Sequence, residues 1–187
     1  MSRLTSTPLD RMSEEQKSLI ERIGRTEAMQ KNGQMGGPHD VWILNPELAR
    51  RAMGLGDMYR FRSSMDRRYV ELTILVTGAF WQAQYEWYAH EPMAREAGVP
   101  EPVIKAIKEG REPDFDDDAD RAAWKLATEM LNTGRVRDES FADAVKHFGE
   151  QGVAELANLI GYYTMVSMTL NTFDVPLPEG AEYPWPK

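Results

Sequence analysis

RYVELTILVTGAFWQAQYEWYAH, residues 68–90, is the stretch whose reading decides the fold. Val70, Leu72, Ile74 and Leu75 are the apolar positions of a buried helix, opened by Asp66 as N-cap and ending near Gly78. A second helix is expected from Gln82 to Ala97, with Gly98 as the left-handed residue that stops it before Val99-Pro100. Glu86 and His90 stand at i,i+4 on that second helix, so their side chains meet on one face. A carboxylate beside an imidazole orients the ring and raises its pKa, which makes His90 a usable proton donor or acceptor near neutrality. Glu71 is an acid in an otherwise apolar run, so it either faces water or is buried with a partner. On one straight helix Glu71 and His90 would be ~28 Å apart. They share a site only if the chain doubles back, and Gly78 is the expected bend. The same Glu-x-x-x-His spacing also fits a surface pair worth a few tenths of a kcal/mol.

The rest of the chain reads as helix after helix. Ser13-Glu14-Glu15-Gln16 is a capping box, followed by Leu19, Ile20 and Ile23 on one face and fading near Ala28. Residues 31–38, KNGQMGGP, form a loop. Asn45-Pro46-Glu47 starts a helix that runs towards Tyr59, weakened in the middle by Gly54 and Gly56. A short helix is expected from about Pro100 to Lys108, and an acidic loop over 110–120. Asp118 or a neighbour caps the next helix, Ala119 to Leu131, since the glycine and terminal glutamate of a calcium loop are missing. Helices from Glu139 to Phe148 and Glu150 to about Phe173 complete the bundle, with Gly161 expected to allow close helix contact. The tail, VPLPEGAEYPWPK, has four prolines and reads as an extended arm whose Tyr183 and Trp185 pack on a neighbouring surface. No segment alternates as a strand does, so the fold class is all-α. The division expected is a helical extension over 1–34, the main domain over 35–176 and the Pro-rich arm over 177–187.

Composition narrows the function. The net charge of -8, from 30 acidic and 22 basic residues, argues against nucleic acid as a partner. No apolar run approaches the ~18 residues of a membrane span, and the opening MSRLTSTPLDRMSEEQ lacks an apolar stretch, so a cytoplasmic location without membrane contact is the default expectation. There is no cysteine, which removes disulfides, thiolate catalysis and Cys-ligated metals. The three histidines, His39, His90 and His147, have no metal-binding spacing, so no metal is expected.

The signature resembles that of the carboxymuconolactone decarboxylase family, whose fold is shared with the AhpD-like alkylhydroperoxidases. The matching elements are Glu71 in an Arg-x-x-Glu-Leu context, His90 nineteen residues later, Ala94, Gly98 and the helix start Pro100-Glu-Pro-Val-Ile104. GPHDVWILNPELARRAM, residues 37–53, is similar to the family's lead-in, and residues 119–174 to its second helical half. The resemblance covers roughly residues 35–176. The peroxidase branch carries a Cys-x-x-Cys pair where this chain has Ala83 and Glu86, so thiol peroxidase chemistry is excluded, whereas the decarboxylase branch tends to have an acid at the position of Glu86. The family's members are usually shorter and lack the N-terminal extension and the Pro-rich tail. Pro92 departs from the pattern too and is expected to kink the helix after His90.

The resemblance implies a cofactor-independent acid–base enzyme that decarboxylates a carboxylated lactone or related cyclic acid. The substrate is its own electron sink, so no cofactor is required. His90 moves the proton, Glu86 tunes it, and Glu71 is a supporting or second acid. An anionic carboxylate or lactone substrate needs cations, and Arg60, Arg67, Arg68 and their neighbour Arg62 are the local supply. His39 enters from the lead-in loop. Trp81, Trp87 and Tyr88 supply aromatic walls, and Tyr162, Tyr163 and Asn171 of the last helix are pocket-lining donors. Isomerisation, dehydration or cyclisation would use the same groups. A non-catalytic binding or scaffold oligomer is the third reading, since the family's helical proteins form homo-oligomers, trimers or hexamers.

Overall fold

The computed structural model describes residues 3–5 and 7–186. Residues 1, 2 and 6 of the expected extension and residue 187 of the arm lie outside the described residues. Among the described residues, a single 3-10 turn at Leu9–Arg11 is followed by nine helices: α1 (Glu14–Arg22), α2 (Thr26–Asn32), α3 (His39–Trp42), α4 (Pro46–Phe61), α5 (Arg67–Phe80), α6 (Gln84–Glu96), α7 (Glu101–Lys108), α8 (Asp118–Thr133) and α9 (Asp138–Phe173). No strand occurs among the described residues. None of their helices is long and apolar enough to cross a membrane.

The helix starts follow local side-chain chemistry. Ser13 and Gln16 form the reciprocal capping box of α1, Asn45 accepts from Glu47 and Leu48 ahead of Pro46, and Asp66 accepts from Arg68. Asp117, rather than Asp118, caps α8. Helix α5 is the axle of the bundle: Val70 through Gly78 are all buried, and α6, α7, α8 and α9 pack around it. Helix α4 packs against α1, α3 and α9.

Several boundaries differ from the sequence reading. The first helix stops at Arg22 because Gly24 turns left-handed, and α2 then occupies the start of the expected loop. The last two helices are one element bent at Gly149, whose φ of 67° and ψ of 170° break the helical path. Helix α6 runs through Pro92 to Glu96. Gly161 is exposed with nothing near its missing side chain, so it serves no close contact. Gly78 is helical and is not the bend. The reversal comes later, at Trp81–Ala83, where Gln82 takes a left-handed φ of 45°.

Candidate active site

Helix α5 ends by folding its last carbonyls back on the turn. The Gln82 amide donates to Ala79 O at 3.0 Å and the Ala83 amide to Gly78 O at 2.9 Å. Helix α9 pins the same turn from the other side: the Trp81 indole donates to the Thr164 hydroxyl at 3.3 Å, and the Asn171 amide donates to Trp81 O at 2.8 Å. The C-terminal arm holds the start of α6 through a reciprocal pair. Gln84 Nε2 donates to Trp185 O at 2.9 Å, and the Trp185 amide donates to Gln84 Oε1 at 3.1 Å. With both ends of the turn fixed, Glu71 from α5 and Glu86 and His90 from α6 converge.

His90 is clasped between two buried carboxylates. Its Nδ1 lies 2.7 Å from Glu71 Oε2, and its Nε2 lies 3.0 Å from Glu86 Oε1. Relative exposures of 0 % for Glu71, 3 % for Glu86 and 8 % for His90 leave almost no room for water to screen them. The two acids are held differently. Both oxygens of Glu71 are engaged, Oε2 by His90 and Oε1 by Arg67, whose Nε donates at 2.8 Å. Glu86 Oε1 is near Nε2 but out of line for a hydrogen bond, and it has no other partner. Burial disfavours a charged imidazole, but the charges of Glu86 and Glu71 and the hydrogen bond to Glu71 outweigh it and lift His90 to about 9. Near neutrality His90 is therefore an imidazolium, with the Arg67–Glu71 pair behind it and Glu86 in front.

Glu86 opens onto a cavity of about 110 Å³ whose lining includes His39, Trp42, Arg60, Tyr162 and Tyr163. The Tyr163 ring stands edge-on to His90 at 5.1 Å, and Tyr162 stands edge-on to Tyr163. Burial and the nearby Glu86 charge raise both phenols, so they remain neutral. Tyr162 reaches the cavity only because residue 56 is glycine: a Cβ there would lie 2.5 Å from the Tyr162 hydroxyl. Burial and the charges of Arg25 and Arg60 push His39 down to about 4, so this imidazole is neutral. Among the described residues no group of three or more His, Asp or Glu is arranged to hold a metal ion.

Residues 46–129 match the model of the carboxymuconolactone decarboxylase family. The match spans less than half of the chain and shows what that segment is similar to. The chain's AhpD-like fold is shared with solved structures. The AhpD alkylhydroperoxidase core of an uncharacterized peroxidase-related protein from Ralstonia eutropha JMP134 superposes with a TM-score of 0.76, at 16% identity over 95% of this chain and 93% of that one. A peroxidase-related protein from Silicibacter sp. TM1040 gives a TM-score of 0.73 at 14% identity, covering 94% and 91% of the two chains. The debrominase Bmp8, as a cysteine-to-alanine variant in complex with 2,3,4-tribromopyrrole, gives 0.71 at 19% identity, covering 96% and 95%. No protein of curated function matches by sequence.

The chain is cysteine-free and so has no Cys-x-x-Cys pair for thiol–disulfide exchange. The family segment contributes Arg60, Glu71, Glu86 and His90, while His39 and Trp42 come from before it and Tyr162 and Tyr163 from after it. Of the residues singled out from sequence, His39, Arg60, Glu86, Tyr162 and Tyr163 line the cavity, and Glu71, His90 and Arg67 form the layer behind Glu86. The others are spent elsewhere. Arg68 pairs with buried Asp120 on α8. Trp81 and Asn171 build the turn. Trp87 is buried against Trp185, with ring centroids 5.1 Å apart, and Tyr88 is exposed. Trp42, Met53 and Asp57 also line the cavity and were missed. Trp42 stands three residues after His39 and Asp57 three before Arg60, a helical spacing that could have linked them. A larger hollow of about 960 Å³, lined by residues of α7, α8 and the arm, includes none of Glu71, Glu86 and His90. The smaller cavity is the candidate site because Glu86, backed by His90, opens onto it.

Proposed function

We propose that this protein is a cofactor-independent acid–base enzyme, a lyase that decarboxylates a carboxylated lactone or related small cyclic acid. One observation carries the reading: a buried imidazole held between two buried carboxylates, at 2.7 and 3.0 Å, with only Glu86 opening onto the cavity. Glu71, anchored by Arg67, fixes the ring and stabilises its positive charge. Glu86 is the terminal group, and a proton moves between it, His90 Nε2 and the substrate carbon. This differs from the sequence expectation in one respect, since Glu71 rather than Glu86 orients the ring. Of the arginines expected to meet an anionic substrate, Arg60 lines the cavity and has no carboxylate partner among the described residues. The Bmp8 complex with tribromopyrrole supports a flat ring as the substrate's shape.

Isomerisation or dehydration of an enolisable ring is the alternative, and release of CO2 separates it from decarboxylation. The test is a screen of carboxylated lactones and small ring acids for CO2 release, followed by kinetics of variants. Glu86→Gln and His90→Gln are each expected to lower kcat by about 100- to 10,000-fold. Full activity of either variant on a substrate turned over by the wild type rejects the proposal. Homo-oligomerisation, which the family resemblance implies, belongs to the same proposal and is read by light scattering.

A further inference from the structure

His39 is not part of the relay, yet the chain invests a built loop in placing it. Gly36 and Gly37 both take positive φ, 87° and 69°, and lie under the Tyr85 ring, where a Cβ would come within 2.9 and 3.0 Å of its atoms. The Asp40 carboxylate ties the loop by accepting from the Met35 amide at 2.6 Å and the Gly36 amide at 2.9 Å. The ring that follows stands edge-on to Trp42 at 5.7 Å. Its Nδ1 is buried and has no hydrogen-bond partner. Glu86 Oε1, lining the same cavity, is the other buried polar atom there without one. A buried polar group without a hydrogen bond costs about 1–3 kcal/mol, so a ligand that bonds His39 Nδ1 beside Glu86, whose Oε1 already meets His90 Nε2 at 3.0 Å, is matched to this cavity. The volume, about 110 Å³, is below the ~150 Å³ cavity known to take benzene, which limits the enclosed part of a ligand to one small ring with its substituents at the mouth. The exposed side chains of Asp57 and Arg60 mark its mouth.

We infer that His39 is a substrate-contacting group, whose imidazole N–H hydrogen-bonds the carbonyl or enolate oxygen of a single-ring acid while Arg60 takes a carboxylate the substrate retains. The inference rests on the acid–base reading above and adds to that site a substrate-contacting residue from outside the matched segment. In a decarboxylation the C–CO2 bond breaks and its electron pair moves into the conjugated carbonyl. The His39 N–H donates to the enolate oxygen, and the proton held by His90 and Glu86 forms the new C–H bond. CO2 leaves, and a proton from solvent restores the pair. A neutral imidazole suits the donor role because it stabilises the enolate without delivering a proton to oxygen.

The test uses two probes, 4-hydroxybenzoate and benzoate, which differ only in the ring oxygen. Because the chain has three histidines, nitrogen-labelled imidazole NMR resolves each one. The 4-hydroxybenzoate probe is expected to bind saturably and move the His39 ring nitrogens, with His147 unmoved. His39→Phe is expected to weaken it by about tenfold, the worth of one hydrogen bond to a charged or polarised group. Benzoate is expected to bind wild type and His39→Phe alike, and Arg60→Met to weaken both probes. Unmoved His39 signals on saturation, equal binding of 4-hydroxybenzoate by His39→Phe, or no saturable binding of either probe overturns the inference. The wild-type spectra decide the matter even if the variant misfolds. The acid–base reading fails separately, on the turnover of Glu86→Gln and His90→Gln.

Discussion

His39 lines the cavity and His90 lies behind Glu86, with opposite shifts in protonation, and this gives the protein two opposing pH limbs. Raised from 6.5 to about 9, His90 contributes stability that is fully present below about 6.5 and lost as pH rises through about 9. Lowered from 6.5 to about 4, His39 contributes stability present above about 6.5 and lost as pH falls through about 4. Each shift corresponds to a few kcal/mol. Thermal unfolding followed across pH is therefore expected to show greatest stability near neutrality, with the alkaline limb flattened in His90→Gln and the acid limb in His39→Phe. An unchanged alkaline limb in His90→Gln would contradict the charge assigned to the ring. From spacing alone that substitution looks neutral for folding. With Glu71 and Glu86 buried on both sides, removing the imidazolium instead leaves two carboxylates short of a cation, and a loss of about 1–3 kcal/mol at neutral pH is expected.

At the scale of elements, the glycines separate packing from propensity. Gly56 and Gly161 both sit inside helices, where alanine is ordinarily better by about 0.5–1 kcal/mol. Gly161 faces open space, so Gly161→Ala is expected to stabilise by about that amount in denaturant unfolding. Gly56→Ala would drive a methyl into the Tyr162 hydroxyl and is expected to destabilise by about 1–3 kcal/mol and weaken probe binding. Sequence reading could not tell these two apart, because what lies against a glycine belongs to another helix. It did locate the starts of α1, α4 and α5, where Ser13, Asn45 and Asp66 cap their own helices. The bend between α5 and α6 escaped it for the opposite reason. The residue with free backbone, Gly78, stayed helical, and a glutamine took the left-handed angle because Thr164, Asn171 and Trp185 hold the segments on either side of it.

For the molecule as a whole, the grouping of Glu71, Glu86 and His90 was legible because Glu86 and His90 stand at i,i+4 and Glu71 lies within the same twenty residues, one chain reversal away. The far wall was less so, since His39 and Tyr162 are separated from them by long stretches and joined only by tertiary packing. The arm shows how far such packing extends. Trp185 donates its indole N–H to Lys108 O at 3.0 Å, packs on Trp87 and exchanges two hydrogen bonds with Gln84, so residues at the end of the chain brace the helix that carries Glu86 and His90. Trp185→Ala is expected to cost about 2 kcal/mol in chemical denaturation. It should also move the titration of the His90 imidazole, whereas a tail that merely covers surface would leave that titration in place.

A polypeptide wholly devoid of sulfhydryls makes its own chemical reporter. Glu86→Cys would install a lone thiol against the His90 ring, and an adjoining imidazolium favours the thiolate. Iodoacetamide would then label that one position with no background to subtract. The acidity at which labelling slows would give a direct measure of how strongly the ring holds its charge.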